Sequence, residues 1–301
     1  MKTMLPFILI LSLTLHAQMS PYLLKPSKTY IDPSMKIKIL DTKQINFTNK
    51  NNIAFNEISD LAYKDKKLFA VGDNGFLYTM SLLIVDKKIK KLQLLNATAL
   101  QDEEAKKLKK KYRDSEGLVF VGNKLAISFE RKHRVDLYGQ DGIKIRTIPI
   151  HKDLRDKKAY QGKNKGLEAL AYNEKYGIVT APERPLKNKK LHTIYAKKRT
   201  WEFQAKGSIT GLEFRSKNKL VVLLRDFNHF TRERVITLVE LNLKKTSQKP
   251  KLLARLESSR GWNVDNFEGI TKVKKNTFLL VSDDNDSVFQ KTLLVLFEIR
   301  D

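Results

Sequence analysis

The sequence predicts an all-β fold, a β-propeller of five blades. One motif occurs five times: Ser, Thr or Glu, then Asp, Gly or Ala, then an apolar run. Each copy leads through a polar turn into a second apolar run, and such short β-rich segments at intervals of roughly 40–60 residues are typical of four-stranded blades. A propeller with a sixth, degenerate blade is the alternative, because the longer repeats have room for extra strands. The copies begin at Ser59, Glu116, Glu168, Thr210 and Glu268.

The first residues of the chain have the pattern of a secretory signal. A basic start with Lys2 precedes an apolar run at 5–15, and Ala17 follows as a small residue at the expected cleavage point. The run is too short to span a bilayer, although an uncleaved anchor is the alternative. We therefore expect a signal peptide at 1–17, a linker at 18–35 and one propeller domain at 36–301. The mature chain is expected to be periplasmic or secreted, without a transmembrane segment.

The strands of each blade follow from the repeat. The second strands are predicted at 68–73, 125–130, 177–183, 220–226 and 278–284, and alternating runs after them supply the outer strands. The last repeat has only one further run, at 291–300, so the run at 36–45 is predicted to supply its fourth strand. Closure by an N-terminal strand would leave no open sheet edge.

One helix is predicted between the first and second blades. Residues 102–111 contain the pairs Asp102–Lys106 and Glu103–Lys107 at helical i,i+4 spacing. We expect a solvated helix on a connecting loop, without a role in catalysis.

Acidic residues gather where the predicted strands start and end. The first strand of a blade runs along the channel and the second runs back, so these positions share one face. Like charges crowded at a channel mouth raise one another's pKa unless a cation neutralises them, and Ca²⁺ accepts six to eight oxygen ligands. The predicted calcium ligands are Asp73, Glu130, Glu168, Glu183, Asp226, Asp283 and Asp284.

Arginines next to the strand-end acids offer a second interpretation. Arg131, Arg184 and Arg225 each adjoin one of these acids. Guanidinium groups would then neutralise the carboxylates in place, and the acids would hold neighbouring blades together.

Several classes of protein are excluded or disfavoured. The absence of Cys excludes disulfides, thiolate zinc sites, iron–sulfur clusters and a cysteine nucleophile. His133, His192 and His229 lack zinc-site spacing, and the sequence has no nucleophile elbow, P-loop or dinucleotide-binding glycine pattern.

The formal net charge of +25 indicates an anionic partner. Most of the cations are scattered lysines, whereas specific readers of nucleic acid favour arginine, so nucleic-acid binding is not expected. A basic exterior would instead concentrate an anionic small-molecule substrate or hold the protein near an anionic membrane surface. A monomer is expected.

The chain resembles a known family over nearly its whole predicted mature length. The segments that carry the resemblance are ISDLAY…LFAVGDNG (58–75), DSEGLVF…LAISFER (114–131), KGLEALAY…TAPERP (165–185), SITGLEF…LLRDF (208–227) and NFEGITKV…FLLVSDDN (266–285). They resemble the phytase-like propeller family described as esterase-like activity of phytase. This resemblance implies a secreted or periplasmic propeller with phosphoester or ester hydrolase activity. Matched residue by residue, it points to Asp73, Glu116, Glu130, Glu168, Glu183, Asp226, Glu268 and Asp283.

Two positions depart from the family pattern, since Ser59 and Thr210 stand where an acid is expected. The chain is more distantly similar to gluconolactonase-type propellers, in which acids and an Asn bind one divalent metal.

Two functions follow as hypotheses. In the first, the protein is a metal-dependent hydrolase in which Glu116 or Glu268 activates water and Arg131 or Arg184 holds the anion. In the alternative, the protein is a non-catalytic periplasmic propeller that binds a ligand or a protein partner.

Overall fold

The computed structural model describes residues 18–26, 35–46, 53, 55–162, 165–287 and 289–300. The predicted signal peptide at 1–17 lies outside these residues. Five β-sheets are arranged in a ring, so the predicted five-bladed β-propeller is confirmed. Within this part of the chain, no helix has the length and apolar character needed to cross a membrane.

The secondary structure is almost entirely β. In chain order the strands are β1 Gln18–Pro21, β2 Ile37–Asn46, β3 Ile58–Lys64, β4 Lys67–Gly72, β5 Phe76–Val85, β6 Lys88–Ala99, β7 Ser115–Val121, β8 Lys124–Phe129, β9 Arg134–Tyr138, β10 Lys144–Ile148, β11 Leu167–Asn173, β12 Gly177–Pro182, β13 His192–Ala196, β14 Thr200–Phe203, β15 Ser208–Ser216, β16 Lys219–Phe227, β17 Arg234–Asn242, β18 Ser247–Gln248, β19 Lys251–Glu257, β20 Asn266–Lys274, β21 Thr277–Asp283 and β22 Leu293–Ile299. Short 3₁₀ helices span Lys110–Tyr112, Lys152–Leu154, Lys157–Ala159 and Ser258–Arg260.

Each blade is an antiparallel meander whose first strand lies innermost. Blade 1 is β3–β6, blade 2 is β7–β10, blade 3 is β11–β14 with β18 added in parallel, and blade 4 is β15–β17 with β19. The innermost strands β3, β7, β11, β15 and β20 contact one another in cyclic order, with β20 returning to β3. The ring therefore has a central channel, as the repeat predicts.

Blade 5 is closed by the N-terminal part of the chain. Its own strands are β20, β21 and β22, and β2 pairs antiparallel with β22 in a register that places Ile37 opposite Ile299. The predicted closure is therefore confirmed. Within the predicted linker at 18–35, β1 adds a fifth strand to this sheet by pairing with β2.

The core lies between the blades, because each sheet is covered on both faces by its neighbours. Five separate clusters of buried apolar side chains fill the five interfaces between adjacent blades. This explains why the second strands read as nearly continuous apolar runs, such as β16, in which residues 220–224 are all buried.

The helix predicted at 102–111 is wrong. Residues 102–109 form an irregular loop that leads into the short 3₁₀ helix at Lys110–Tyr112. Oδ1 of Asp102 accepts hydrogen bonds from the N–H groups of Glu104 and Lys106, and Ala105 has a φ of 58°. The i,i+4 charge pairs do not suffice, because isolated helices shorter than about 12–15 residues are marginal and this segment has no apolar stripe to bury.

Candidate functional site

A β-bulge at the start of every innermost strand positions the site. In each blade the pairing between the first two strands shifts by one residue at the predicted strand-start position, and a bulge turns the extra side chain out of the ladder. The residues skipped by the register are Ser59, Glu116 with Gly117, Glu168, Thr210 and Glu268. The bulges thus explain why the acids of the motif leave their sheets at one end of the channel.

The small residue after the bulge is required by close approach of the next blade. A Cβ on Gly117 would lie 2.7 Å from the backbone oxygen of Glu168, and one on Gly211 would lie 2.9 Å from that of Glu268. A side chain at either position would collide with the neighbouring innermost strand. The acid of the motif therefore lies at the channel mouth, and the glycine after it allows adjacent innermost strands to pack closely.

Asp60 takes the position of this small residue in blade 1, where it ties three innermost strands together. Its carboxylate accepts hydrogen bonds from the backbone N–H groups of Leu61 and Leu118 at 2.8 Å and of Ile270 at 3.2 Å. Burial raises the pKa of Asp60 well above its ordinary value, although these hydrogen bonds oppose the shift. Asp60 is therefore a structural acid.

Five carboxylates from blades 2 and 3 form one group at the mouth, which we call the carboxylate cluster. Its members are Asp114, Glu116, Glu130, Glu168 and Glu183. Single oxygens of Asp114, Glu116 and Glu130 lie within 4.8 Å of one another, and the same holds for Glu130, Glu168 and Glu183. Because Glu130 belongs to both sets, the cluster is continuous from blade 2 to blade 3.

Crowding within the carboxylate cluster favours the protonated acids. Burial, followed by repulsion from Glu168, raises the pKa of Glu116 well above its ordinary value. Burial and then Glu183 do the same for the pKa of Glu168, and burial is the main cause that raises the pKa of Glu130 to about 7. Among the described residues, the carboxylates of Glu116 and Glu168 have no hydrogen-bond or salt-bridge partner. Asp114 pairs with Arg131, and Glu183 pairs with Lys165. Glu116 and Glu168, in contrast, offer hard oxygen donors without a salt bridge to any described residue, which fits a cation such as Ca²⁺.

A guanidinium group occupies the mouth beside blades 4 and 5. Nη1 of Arg225 donates hydrogen bonds to Oδ1 of Asn266 and Oε1 of Glu268, and Nη2 lies 4.0 Å from Oε1 of Glu183. Asn266 also donates to Glu268 and to Asp283. Glu268 is therefore neutralised in place, as the second sequence interpretation predicts for such acids.

A cavity of about 320 Å³ opens beside Arg225, and we call it the basic cavity. Four cations line it, Lys165, Arg184, Arg225 and Arg234, together with three acids, Glu183, Asp226 and Asp265. Oε2 of Glu183 lies 2.5 Å from Nζ of Lys165, and its Oε1 accepts a hydrogen bond of 2.7 Å from Ser208. Glu183 therefore belongs both to the carboxylate cluster and to the wall of the basic cavity.

The acids of blades 5 and 1 form a third part of the mouth. Burial and the neighbouring Glu57 raise the pKa of Asp73 to about 7, and burial with Glu268 raises the pKa of Asp283 to about 8. Asp284 instead has a structural role, since it accepts hydrogen bonds from the backbone N–H of Glu57, before blade 1, and from the hydroxyl of Thr292, in blade 5.

The remaining predicted residues lie in different surroundings. Arg184 and Asp226 line the basic cavity, and Asp226 lies 3.6 Å from Nζ of Lys206. Arg131 does not line this cavity, because its Nε pairs with Oδ2 of Asp114 at 2.7 Å and its side chain is 46% exposed. Glu116 belongs to the carboxylate cluster, and Glu268 forms a salt bridge with Arg225.

Sequence reasoning missed four residues of this site. Asp114 stands two positions before Glu116, and Lys165 stands three before Glu168, so both adjoin the repeated motif. Glu57 and Arg234 carry no signal in the repeat, because each enters the mouth from a connection or an outer strand.

Comparison with known proteins gives one family. The family model described as "Phytase-like: Esterase-like activity of phytase" matches residues 53–286. A search of the curated proteins finds no match.

Solved structures similar to this chain include three of low identity. One is a chain from the crystal structure of the Mitotic Checkpoint Complex, with 9% identity, a TM-score of 0.40 and coverage of 86% of this chain and 69% of that chain. Another is the structure of U3-55K, with 11% identity, a TM-score of 0.42 and coverage of 82% and 77%. The third is the computationally designed Ika8 protein, with 14% identity, a TM-score of 0.34 and coverage of 77% and 70%.

Proposed function

Because the chain belongs to the phytase-like family described by esterase-like activity of phytase, we propose that it is an exported, calcium-dependent hydrolase of phosphoesters. Ester substrates are the second class that this family description supports. The observation that carries the proposal is the position of Glu183, which the carboxylate cluster shares with the basic cavity. A cation site and an anion site then adjoin at one channel mouth.

Three carboxylates would hold the cation: Glu130, Glu168 and Glu183, single oxygens of which lie within 4.8 Å of one another. A bound Ca²⁺ supplies charge that polarises the reacting phosphoryl or acyl oxygen. Its ligands must lose their protons, so binding is coupled to proton release from Glu130 and Glu168, whose pKa values are raised.

The basic cavity would bind and orient the anionic group of the substrate. Arg184 and Arg234 line it without a salt bridge to any described residue, whereas Lys165 is shared with Glu183. Guanidinium groups suit phosphate because two N–H groups can bind two oxygens at once. Arg225 already donates a hydrogen bond from Nη1 to Glu268, so it acts as a positioning residue between the two sites.

Glu116 is the better candidate for the general base. A base works best when its pKa lies near the working pH, and burial with neighbouring carboxylates raises that of Glu116. Glu268 is held by Arg225 and Asn266 and would position these groups instead.

The test is hydrolysis of p-nitrophenyl phosphate and p-nitrophenyl acetate, with Ca²⁺ or with EGTA. Glu116→Gln is expected to lower kcat by about 100-fold or more, the usual contribution of a general base. Glu104→Gln, an exposed acid on the 102–112 loop, is the matched control and should retain wild-type turnover. Equal turnover in both variants, or turnover unaffected by EGTA, would overturn the proposal.

One observation favours the non-catalytic alternative, namely the pairing of Arg225 with Glu268. A mouth whose acids are neutralised internally suits a rigid binding platform for a ligand or a protein. Saturable binding of inorganic phosphate that Arg184→Gln abolishes, together with no turnover of either ester, would establish this alternative.

A further inference from the structure

A second cavity, of about 380 Å³, lies between blades 2 and 3, and we call it the far cavity. Blade 2 contributes Leu137 and Ile148 to its wall, and blade 3 contributes Ile178 and Tyr195. Its lining includes the turn residue Gly177, which lies at the end of β12 remote from Glu183. The far cavity is therefore separate from the channel mouth.

The short outer strands of these two blades explain why the space is open. Strands β9, β10 and β13 have five residues each and β14 has four, whereas β5 and β6 of blade 1 have 10 and 12. Short outer strands cannot cover the full width of the facing sheets. Apolar side chains that continue the core between blades 2 and 3, such as Ile148 and Ile178, are left only partly buried.

A buried hydroxyl faces this apolar space. Thr180 is 4% exposed and lines the far cavity, and its Oγ1 has no hydrogen-bond partner among the described residues. Buried polar groups are nearly always hydrogen-bonded, so Thr180 offers one hydrogen-bonding group to water or to a ligand that occupies the cavity.

The rim of the far cavity is positively charged. Arg146 and Lys197 are exposed side chains of its lining, and in the part of the chain that the structure describes neither forms a salt bridge. No Asp or Glu belongs to the lining. An apolar interior with a basic rim is complementary to a molecule that has an apolar body and one anionic end.

We infer that the far cavity binds a small amphipathic carboxylate, whose hydrocarbon body lies between blades 2 and 3 and whose carboxylate meets Arg146 and Lys197. Its volume falls within the range of about 300–1,000 Å³ that is usual for small-molecule pockets. This site is independent of the proposed hydrolase activity, because it shares no residue with the carboxylate cluster or the basic cavity.

The test is calorimetric titration of the full mature protein with decanoate and with its neutral analogue decan-1-ol. Decanoate should bind saturably, and the double variant Arg146→Glu/Lys197→Glu should weaken its binding about 10-fold while changing decan-1-ol binding little. The matched control is Lys90→Glu/Lys91→Glu, which makes the same change in net charge on exposed positions of blade 1 and should leave decanoate binding unchanged.

A second variant tests the interior. Ile178→Trp fills the far cavity from β12, because Ile178 lines the cavity and packs against the core between blades 2 and 3. It should abolish binding of both molecules, provided that its unfolding midpoint shows a folded protein. No saturable decanoate binding to the wild type, or equal weakening by the two charge-reversal variants, would overturn the inference.

Discussion

Two glutamates at equivalent positions of the repeat have different electrostatic surroundings. Glu116 faces other carboxylates without a cation among the described residues, whereas Glu268 accepts hydrogen bonds from Arg225 and Asn266. The difference arises from blade 4, where Arg225 stands one position before the strand-end acid. At the scale of single residues, the mouth is therefore divided into a part in which Glu116 and Glu168 have no salt bridge to any described residue and a part in which Arg225 pairs with Glu268.

The acids of the mouth whose pKa values are raised make the stability of the metal-free protein depend on pH. An acid whose pKa is raised by folding binds more protons when folded, so the free energy of unfolding falls as pH rises from the unfolded value of about 4 to the folded value. The pKa values of about 7 for Asp73 and Glu130 and about 8 for Asp283 place this loss between roughly pH 4 and pH 8.

Thermal unfolding in EGTA should therefore show a midpoint that falls across this range, and Ca²⁺ should restore it at pH 8. Glu130→Gln should flatten the dependence, whereas Glu104→Gln should not. A midpoint that rises steadily to pH 8 in EGTA would contradict the raised pKa values.

Arg225 is the second residue whose removal has a definite consequence. Arg225→Met leaves Glu268 and Glu183 without their shared cation, and the free energy of unfolding should fall by up to about 3 kcal/mol. Urea denaturation measures the change, with Arg146→Met, an exposed arginine on β10, as the control. Equal stability of the two variants would show that the Arg225 pair does not hold blades 4 and 5 together.

At the scale of the strand, the bulge and the small residue after it explain the repeated motif. Gly117, Gly211 and Gly269 each lie where a neighbouring innermost strand leaves less than 3.0 Å for a Cβ. The sequence predicts the strands of all five blades, because apolar runs and turn residues are local signals. It does not predict the bulges, since a bulge is defined by its register with the next strand.

Gly117→Ala tests this interpretation of the motif. The new methyl group would meet backbone atoms of blade 3, which cannot rotate away, so the variant should lose about 1–3 kcal/mol of unfolding free energy. Gly162→Ala is the control, because its nearest neighbour is the flexible side chain of Lys165 at 3.3 Å. Two variants of the same stability would refute close packing as the reason for the glycine.

At the scale of the whole molecule, the ring depends on β2. This strand pairs with β22 and places Ile37 and Ile39 in the core between blades 4 and 5. Closure could be predicted from the sequence, because the last repeat lacks one strand and the region before the first repeat has one. The gathering of acids at one mouth could be predicted from the same topology. The division of the mouth by Arg225 could not, because it depends on side-chain contacts between blades that are distant in sequence.

Removal of residues 1–46 should open blade 5 and expose the edge of β22. An unpaired edge strand is a template for association, so the truncated protein should unfold at a lower temperature and aggregate. Removal of residues 1–17 is the control and should leave the melting temperature unchanged. A truncated chain without β2 that melts like the control would contradict closure by the N-terminal strand.

The most direct test of the calcium site is calorimetric titration of the metal-free protein with Ca²⁺ at pH 7, repeated in two buffers of different ionisation enthalpy. We expect saturable binding with release of protons, lost in Glu168→Gln and retained in Asp226→Asn, which changes an acid outside the carboxylate cluster. The absence of binding to the wild type, or equal binding by the Glu168→Gln variant, would contradict a cation site at this mouth.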